Sequence, residues 1–414
     1  MNVQPRIGCV STYPPRACGI ATFTRDLMRA MLICGQVERT VIVQIEDNGT
    51  PYPASITRTI DQHDRESYIS AAKFLNESDI DVVSLQHEFG IFGGECGEYV
   101  LDLCRNINLP LVTTFHTILR DPSKKTRQVV RDIVQTSKAV VVTIASAAEI
   151  LETHFGVDPA KIAVIHHGAD VHYSIRKEDA KRLLGIPERT VLATYGLMSS
   201  GKGIEFAIEA LPHLVSERPD VLYVVIGKTH PEVLKHEGEV YRDKLISLAK
   251  TLGVDRNVLF VNRYVNEEEL SLYLQATDIY VAPYLSRDQV SSGTITLALA
   301  HGKAIVSTPS IFAKEILSHN RGVLCKYADA KSIANCVKRI LGSSLRQELE
   351  ANAAKYGHAL GWEGAADKYG DIFRSAISTH RTIAQTASIS EIRAPVRAKI
   401  QVLARTEERR PKNV

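Results

Sequence analysis

The sharpest chemical signal in this chain is a lysine set in a glycine-rich turn, Gly196-Leu197-Met198-Ser199-Ser200-Gly201-Lys202-Gly203. The turn follows the apolar run 191–195 and precedes a helical pattern over 204–215. Free N–H groups at a helix start, joined by one ammonium, suit a diphosphate. A Walker loop is excluded, because Gly203 stands where that motif needs Ser or Thr. A second turn, Asp288-Gln289-Val290-Ser291-Ser292-Gly293-Thr294, follows the run 279–283 and opens an apolar helix over 295–301. Gln289, Ser291, Ser292, Gly293 and Thr294 there offer side-chain and backbone donors to phosphate or to sugar hydroxyls. Ser291 or Ser292 also fits a helix N-cap, and one loop can serve both purposes. Near the N-terminus, the run 7–11 leads through Arg16 to Gly19 and a helix start, again a setting for an anion.

Two histidines end apolar runs. His116 closes 110–115; it is either a satisfied structural histidine or a group that meets the reacting molecule. His87-Glu88 follows 81–85 and precedes the glycine-rich stretch that holds Gly93. The pair lacks the second histidine of H-E-x-x-H, so no metal is expected, and an acceptor site is the functional alternative. Asp79-Ile80-Asp81 spells D-x-D, but it stands before a buried strand and marks where that strand begins.

These residues need a scaffold that places strand ends along one edge. Short apolar runs at 7–11, 40–45, 81–85, 110–115, 139–143 and 161–165 alternate with helical patterns such as 21–34 and 127–136. A second series, 191–195, 222–227, 258–261, 279–283, 304–307 and 322–324, alternates with helices at 203–215, 241–252, 267–275 and 295–301. Continuous rather than alternating apolar runs indicate parallel strands covered on both faces. Two such series predict two doubly wound α/β domains, with ligand sites at the carboxyl ends of the strands. The expected division is 1–170 and 171–360, a crossover helix at 361–384, and a basic tail at 385–414.

Composition narrows the function. A formal charge of +3 is too small to point to nucleic acid, and no nucleic-acid motif is present. No apolar run is long enough to span a membrane, and no leader is expected. Seven scattered cysteines without a C-x-x-C pair fit free thiols in a reducing cytoplasm better than disulfides or zinc.

Taken in order, several segments resemble the family-4 retaining glycosyltransferases of the GT-B fold, over residues 5 to about 380. They are Cys18-Gly19-Ile20, Thr114-Phe115-His116, 164–170, Gly196 to Gly203, 267–283 and Ala298 to Thr308. The resemblance implies two Rossmann-like domains facing across a cleft, with the segment around Trp362 crossing back to the first. It implies a nucleotide-sugar donor of GDP-mannose or UDP-glucose type on the second domain, a saccharide acceptor on the first, no metal, and retention of configuration. On that basis His116, Lys202 and Arg16 are the expected catalytic residues. Gly19, Gly196, Gly203, Arg263, Gln289 and the 291–294 turn are expected at the donor, and His87, Glu88 and Gly93 at the acceptor.

The chain also departs from the family pattern. Leu197 replaces the usual arginine, leaving Lys202, with Arg263 or Arg287 as a candidate second cation. The E-x7-E pair falls on Gln289 and Leu297, and the Ser-Gly-Thr turn resembles that of a bacterial branch of the family. The competing readings are a GT-B phosphorylase or epimerase and a non-catalytic scaffold. An NAD-dependent dehydrogenase has little support, since no G-x-G-x-x-G follows the first strand.

Overall fold

The computed structural model describes residues 4–46, 56–171 and 175–382. The first sheet holds β1 (Arg6–Ser11), β2 (Arg39–Glu46), β3 (Ile56–Asp61), β4 (Val82–His87), β5 (Leu111–Phe115), β6 (Ala139–Val142) and β7 (Ile162–Val164). All its strands are parallel, in the order β3-β2-β1-β4-β5-β6-β7. The second sheet holds β8 (Thr190–Tyr195), β9 (Val221–Ile226), β10 (Val258–Val261), β11 (Ile279–Ala282), β12 (Ala304–Ser307) and β13 (Val323–Leu324). It too is parallel, in the order β10-β9-β8-β11-β12-β13. Central strands such as β4 and β9 are buried at every residue, which is why they read as unbroken apolar runs.

Each sheet reverses its strand order once, between β1 and β4 and between β8 and β11. At such a switch point the loops leaving the strands diverge and open a crevice. The loops leaving β1 and β4 carry Arg16, Gly19 and Glu88, while those leaving β8 and β11 carry Gly196, Lys202 and the 289–294 turn. The topology therefore sets all of these residues along matching edges.

Strand β3 and one short helix are among the elements that the sequence reading did not place. Strand β3 is an edge strand with alternating burial, so it lacks the continuous apolar run of its neighbours. The helix Lys177–Leu183 lies where a polar, irregular segment was expected. Its lysines turn inward, because Lys177 and Lys181 pair with the buried Asp278, at 3.2 and 2.5 Å.

The final helix, residues 362–382, returns to the first sheet. Trp362, Ala366, Tyr369 and Phe373 share one buried cluster with Ile7, Phe23, Leu27 and Val112. Tyr369 Oη lies 3.0 Å from Thr114 Oγ1 on β5. The basic tail expected at 385–414, and the end of the crossover helix beyond 382, lie outside the described residues.

Candidate active site

A cavity of about 800 Å³ lies between the two sheets, walled by loops from both. Of the residues expected from sequence, it brings together Arg16, Gly19, Glu88, His116, Gly196, Lys202, Gln289, Ser291, Ser292, Gly293 and Thr294.

On the first-sheet side, the helix Gly19–Ile33 starts at the wall. Its N-cap Cys18 supplies no side-chain cap, and a Cβ at Gly19 would meet nothing within 4 Å. The helix thus opens at the cavity wall with no side-chain cap on its first N–H groups and with the positive end of its dipole there. Arg16 is held beside them by donating to the Ile45 carbonyl and to Gln62 Oε1, both at 3.2 Å.

His116 is almost fully buried, with Nε2 3.0 Å from Gln86 Oε1. Gln86 donates its amide nitrogen to Ser84 Oγ, at 3.1 Å, and so turns its oxygen toward the imidazole. Nε2 therefore carries the proton. Burial, helped by His167 and His87, pushes the His116 imidazole down to about 3, so the ring is neutral at working pH. The edge of Phe23 packs on His116 and His167, with centroids 4.7 and 4.9 Å apart. Glu88 accepts from Thr117 Oγ1 at 2.6 Å and from the Phe89 amide at 3.0 Å, and burial raises its carboxyl above the ordinary value.

On the second-sheet side, Gly196 takes φ 132°, a conformation closed to most side chains, as the chain turns out of β8. A Cβ there would lie 3.4 Å from both Lys202 Nζ and Thr294 Cγ2, so the two turns meet at this point. Lys202 Nζ sits 4.1 Å from the centroid of the Tyr284 ring. No carboxylate pairs with it among the described residues, and burial lowers its pKa. A half-buried ammonium with no carboxylate beside it, on a cavity wall, is a site for an anion. Ser292 does cap the helix Gly293–Ala300 through Ile295 N, at 3.4 Å, as the plain reading of that serine requires. A Cβ on Gly293 would come within 3.0 Å of His167 Nε2, so this turn stays close to the opposite wall only with glycine.

Five expected site residues are corrected by their surroundings. His87 does not reach the cavity: it is fully buried, stacked on Phe92 at 5.6 Å and edge-on to Phe89 and Phe115. Neither of its ring nitrogens has a partner, and burial pushes its pKa down to about 3. Gly93 is a packing glycine, since a Cβ there would strike the Gln62 carbonyl at 1.9 Å. Gly203 likewise abuts the Pro283 carbonyl, 2.2 Å from its would-be Cβ, and lies off the wall. Arg263 is exposed and paired with Glu269, while Arg287 stacks on Tyr327 at 4.6 Å. Neither arginine lines the cavity.

The wall also holds residues that were not expected there. Lys228 and His230 follow β9, His167 follows β7, and Asp26, Glu267 and His301 lie on or beside helices. The rule that strand ends face the crevice would have found the first three. Burial lowers the His230 pKa, Glu232 opposes the shift, and Lys202 and Arg16 add to the lowering, so cations from both halves act on this one residue of the wall. Burial raises the Asp26 carboxyl to about 6, with Arg25 opposing the shift. Arg25 pairs with Asp26 at 2.6 Å and reaches across the cleft to Glu267. Asp79 and Asp81 are engaged by Arg6 at the start of β4, with no part in the cavity. Among the described residues no group of three or more His, Cys, Asp or Glu is arranged to hold a metal.

Known proteins share this fold. Residues 19–173 match the family described as Glycosyltransferase Family 4, and residues 176–358 match Glycosyl transferases group 1. A D-inositol 3-phosphate glycosyltransferase of Corynebacterium diphtheriae is 25% identical, covering 70% of each chain. Anabaena HepE, solved in complex with UDP, superposes with a TM-score of 0.71 at 15% identity, over 89% of this chain and all of that one. The sucrose-phosphate synthase of Thermosynechococcus elongatus gives 0.71 at 18% identity, over 91% of this chain and all of its own.

Proposed function

The chain belongs to the family-4, group-1 glycosyltransferases of the GT-B fold, and from that membership we propose a metal-independent transfer of a hexose from a nucleoside-diphosphate sugar to a hydroxyl acceptor, with retention of configuration. The observation that carries the reading is Lys202: a half-buried ammonium on the cavity wall, without a carboxylate partner among the described residues. Arg16 and the uncapped helix start at Gly19 line the same cavity, and His230 on its wall lies within electrostatic reach of both Lys202 and Arg16.

The diphosphate lies in this part of the cavity, held by Lys202, the Gly19 helix start and the Ser292–Thr294 turn. As the glycosidic bond breaks, charge grows on the leaving oxygen, and preoriented donors there lower the barrier. The acceptor hydroxyl attacks from the same face as the leaving group departs and gives its proton to the departing phosphate oxygen, which retains the anomeric configuration. His116, neutral and with its Nε2 proton committed to Gln86, contacts the donor sugar as a polar wall and adds no cation. Glu88 and Thr117 line the acceptor side. The nucleoside lies along Tyr264, Leu270 and Leu297, an apolar slot on the second-sheet side. HepE was solved with UDP, which makes a UDP-hexose the first donor to test, with GDP-mannose the second. Free cysteines at all seven positions fit a reducing compartment.

Incubation with UDP-glucose or GDP-mannose, EDTA and a panel of saccharide acceptors tests the reading, with the anomeric proton followed by NMR. The expected product keeps the donor's configuration and forms at an undiminished rate in EDTA. An inverted product, or loss of turnover on chelation, contradicts it. Leu297 on the wall favours a second reading, a binding protein that holds nucleotide without transferring sugar. That reading predicts a melting shift with nucleotide and no product with any acceptor.

A further inference from the structure

Tyr284 stands just behind the cavity wall and touches both of the turns that face the diphosphate corner. Its ring lies under Lys202 Nζ, 4.1 Å from the centroid. Its hydroxyl is 2.7 Å from Thr294 Oγ1 and 3.1 Å from the hydroxyl of Tyr280. The side chain is buried, and desolvation pushes its phenol up to about 12, so it stays protonated.

Each hydroxyl in this chain of contacts has one proton to give. Tyr280 donates its proton to the Tyr195 carbonyl at 3.3 Å, and accepts from the Tyr195 amide. With Tyr280 committed, the contact between the two tyrosines is made by the Tyr284 proton. Thr294 must then donate to Tyr284, and Ser292, 3.2 Å away, donates to Thr294. In this state the Thr294 proton points inward, away from the cavity. If the Tyr284 hydroxyl rotates its proton to Thr294, Tyr280 keeps both of its bonds to Tyr195. Thr294 is then free to direct its own proton at an anion.

We propose that Tyr284 is a positioning residue for the diphosphate: its ring seats the Lys202 ammonium, and its hydroxyl sets the direction of the Thr294 proton. Through one side chain, the Gly196–Lys202 turn and the Ser292–Thr294 turn present donors to the same anion. The step is a hydroxyl rotation, with no bond made or broken apart from hydrogen bonds. The inference rests on reading this cavity corner as the diphosphate site.

Isothermal titration tests it on the full chain, with UDP, GDP and ADP screened first and the tightest binder kept as probe. Tyr284→Phe keeps the ring and removes the hydroxyl that aims and polarises Thr294, and is expected to weaken binding severalfold while the Thr294 donor remains. Thr294→Val removes that donor and is expected to cost about tenfold, the scale of one hydrogen bond to a charged group. The double variant should bind no more weakly than Thr294→Val, because the tyrosine hydroxyl acts only through Thr294. Tyr284→Leu, which also loses the ring under Lys202, should bind more weakly than Tyr284→Phe. Circular dichroism checks folding, and if Tyr284→Leu does not fold, the Phe and Val variants decide alone. Wild-type affinity in Tyr284→Phe, or additive losses in the double variant, overturns the role of Tyr284. Lys202→Ala separates the two claims: weakened binding there with normal binding in Tyr284→Phe sinks only the tyrosine. Unweakened binding in Lys202→Ala, or no binding of any probe by the wild type, sinks the diphosphate reading as well.

Discussion

A histidine with both ring nitrogens unpartnered among phenylalanines has a measurable acid signature. His87 titrates near 3 in the folded chain, against about 6.5 in an unfolded one. As pH falls below about 6.5, the unfolded chain takes up a proton that the folded one refuses, so folded stability is lost with falling pH. His87→Leu removes that liability. Its melting temperature relative to wild type should rise between pH 8 and pH 5, by about 2–4 °C for each kcal/mol recovered. A difference that is the same at both pH values would contradict the burial of a neutral imidazole. Sugar transfer should survive the change, since the side chain does not line the cavity. Sequence could not separate His87 from His116, because both end buried strands. What distinguishes them is which ring the neighbouring loops enclose. Lys202 was legible because its type and turn are local features. Arg263 was misread because its partner, Glu269, is identifiable only once a helix turn brings the two together.

The helix Ala145–Phe155, on the first-sheet side, has no cap of its own at Ile144. Glu315, on the helix Ile311–Ile316 of the other half, supplies one. Its carboxylate accepts from Ala145 N at 2.8 Å, Ser146 N at 2.7 Å and Ser146 Oγ at 2.6 Å. Nearby, Thr143 Oγ1 donates to the Val290 carbonyl at 2.8 Å, next to the 291–294 turn. These contacts fix how the two halves meet on one side of the cleft. Glu315→Ala should cost about 1–2 kcal/mol, the scale of a lost cap. Because the cap spans the halves, the variant should also raise the donor KM and broaden the small-angle scattering profile of the free protein. A variant that melts lower but keeps the wild-type KM and profile would make Glu315 a local cap only. The parallel sheets were legible from their apolar runs. An interaction of this kind was not, since it joins residues 170 positions apart in the chain.

At the scale of the whole molecule, the two sheets close on a cavity to which the last helix contributes a wall residue. Trp362 is the chain's single tryptophan; it lines the cavity and packs edge-on to Phe23 at 5.2 Å. Its fluorescence should therefore change on nucleotide binding, and Trp362→Phe should abolish the signal while leaving some binding detectable by calorimetry. A spectrum that ignores saturating ligand would place binding elsewhere. The resemblance in sequence foretold the architecture, two doubly wound domains and a returning helix, and put Lys202 and Arg16 in one site, but not that His230 joins them there. That convergence is the centre of the account. Thermal melting of wild type and Lys202→Ala in EDTA, with and without UDP, GDP and ADP, tests it most directly. A ligand that binds only the folded state raises the melting temperature by linkage. The account predicts a selective rise with one nucleotide in the wild type and a rise at least severalfold smaller in Lys202→Ala, the cost of a hydrogen bond to a charged group being about 1.5–3 kcal/mol. Equal rises in the two proteins, or none in either, would contradict it.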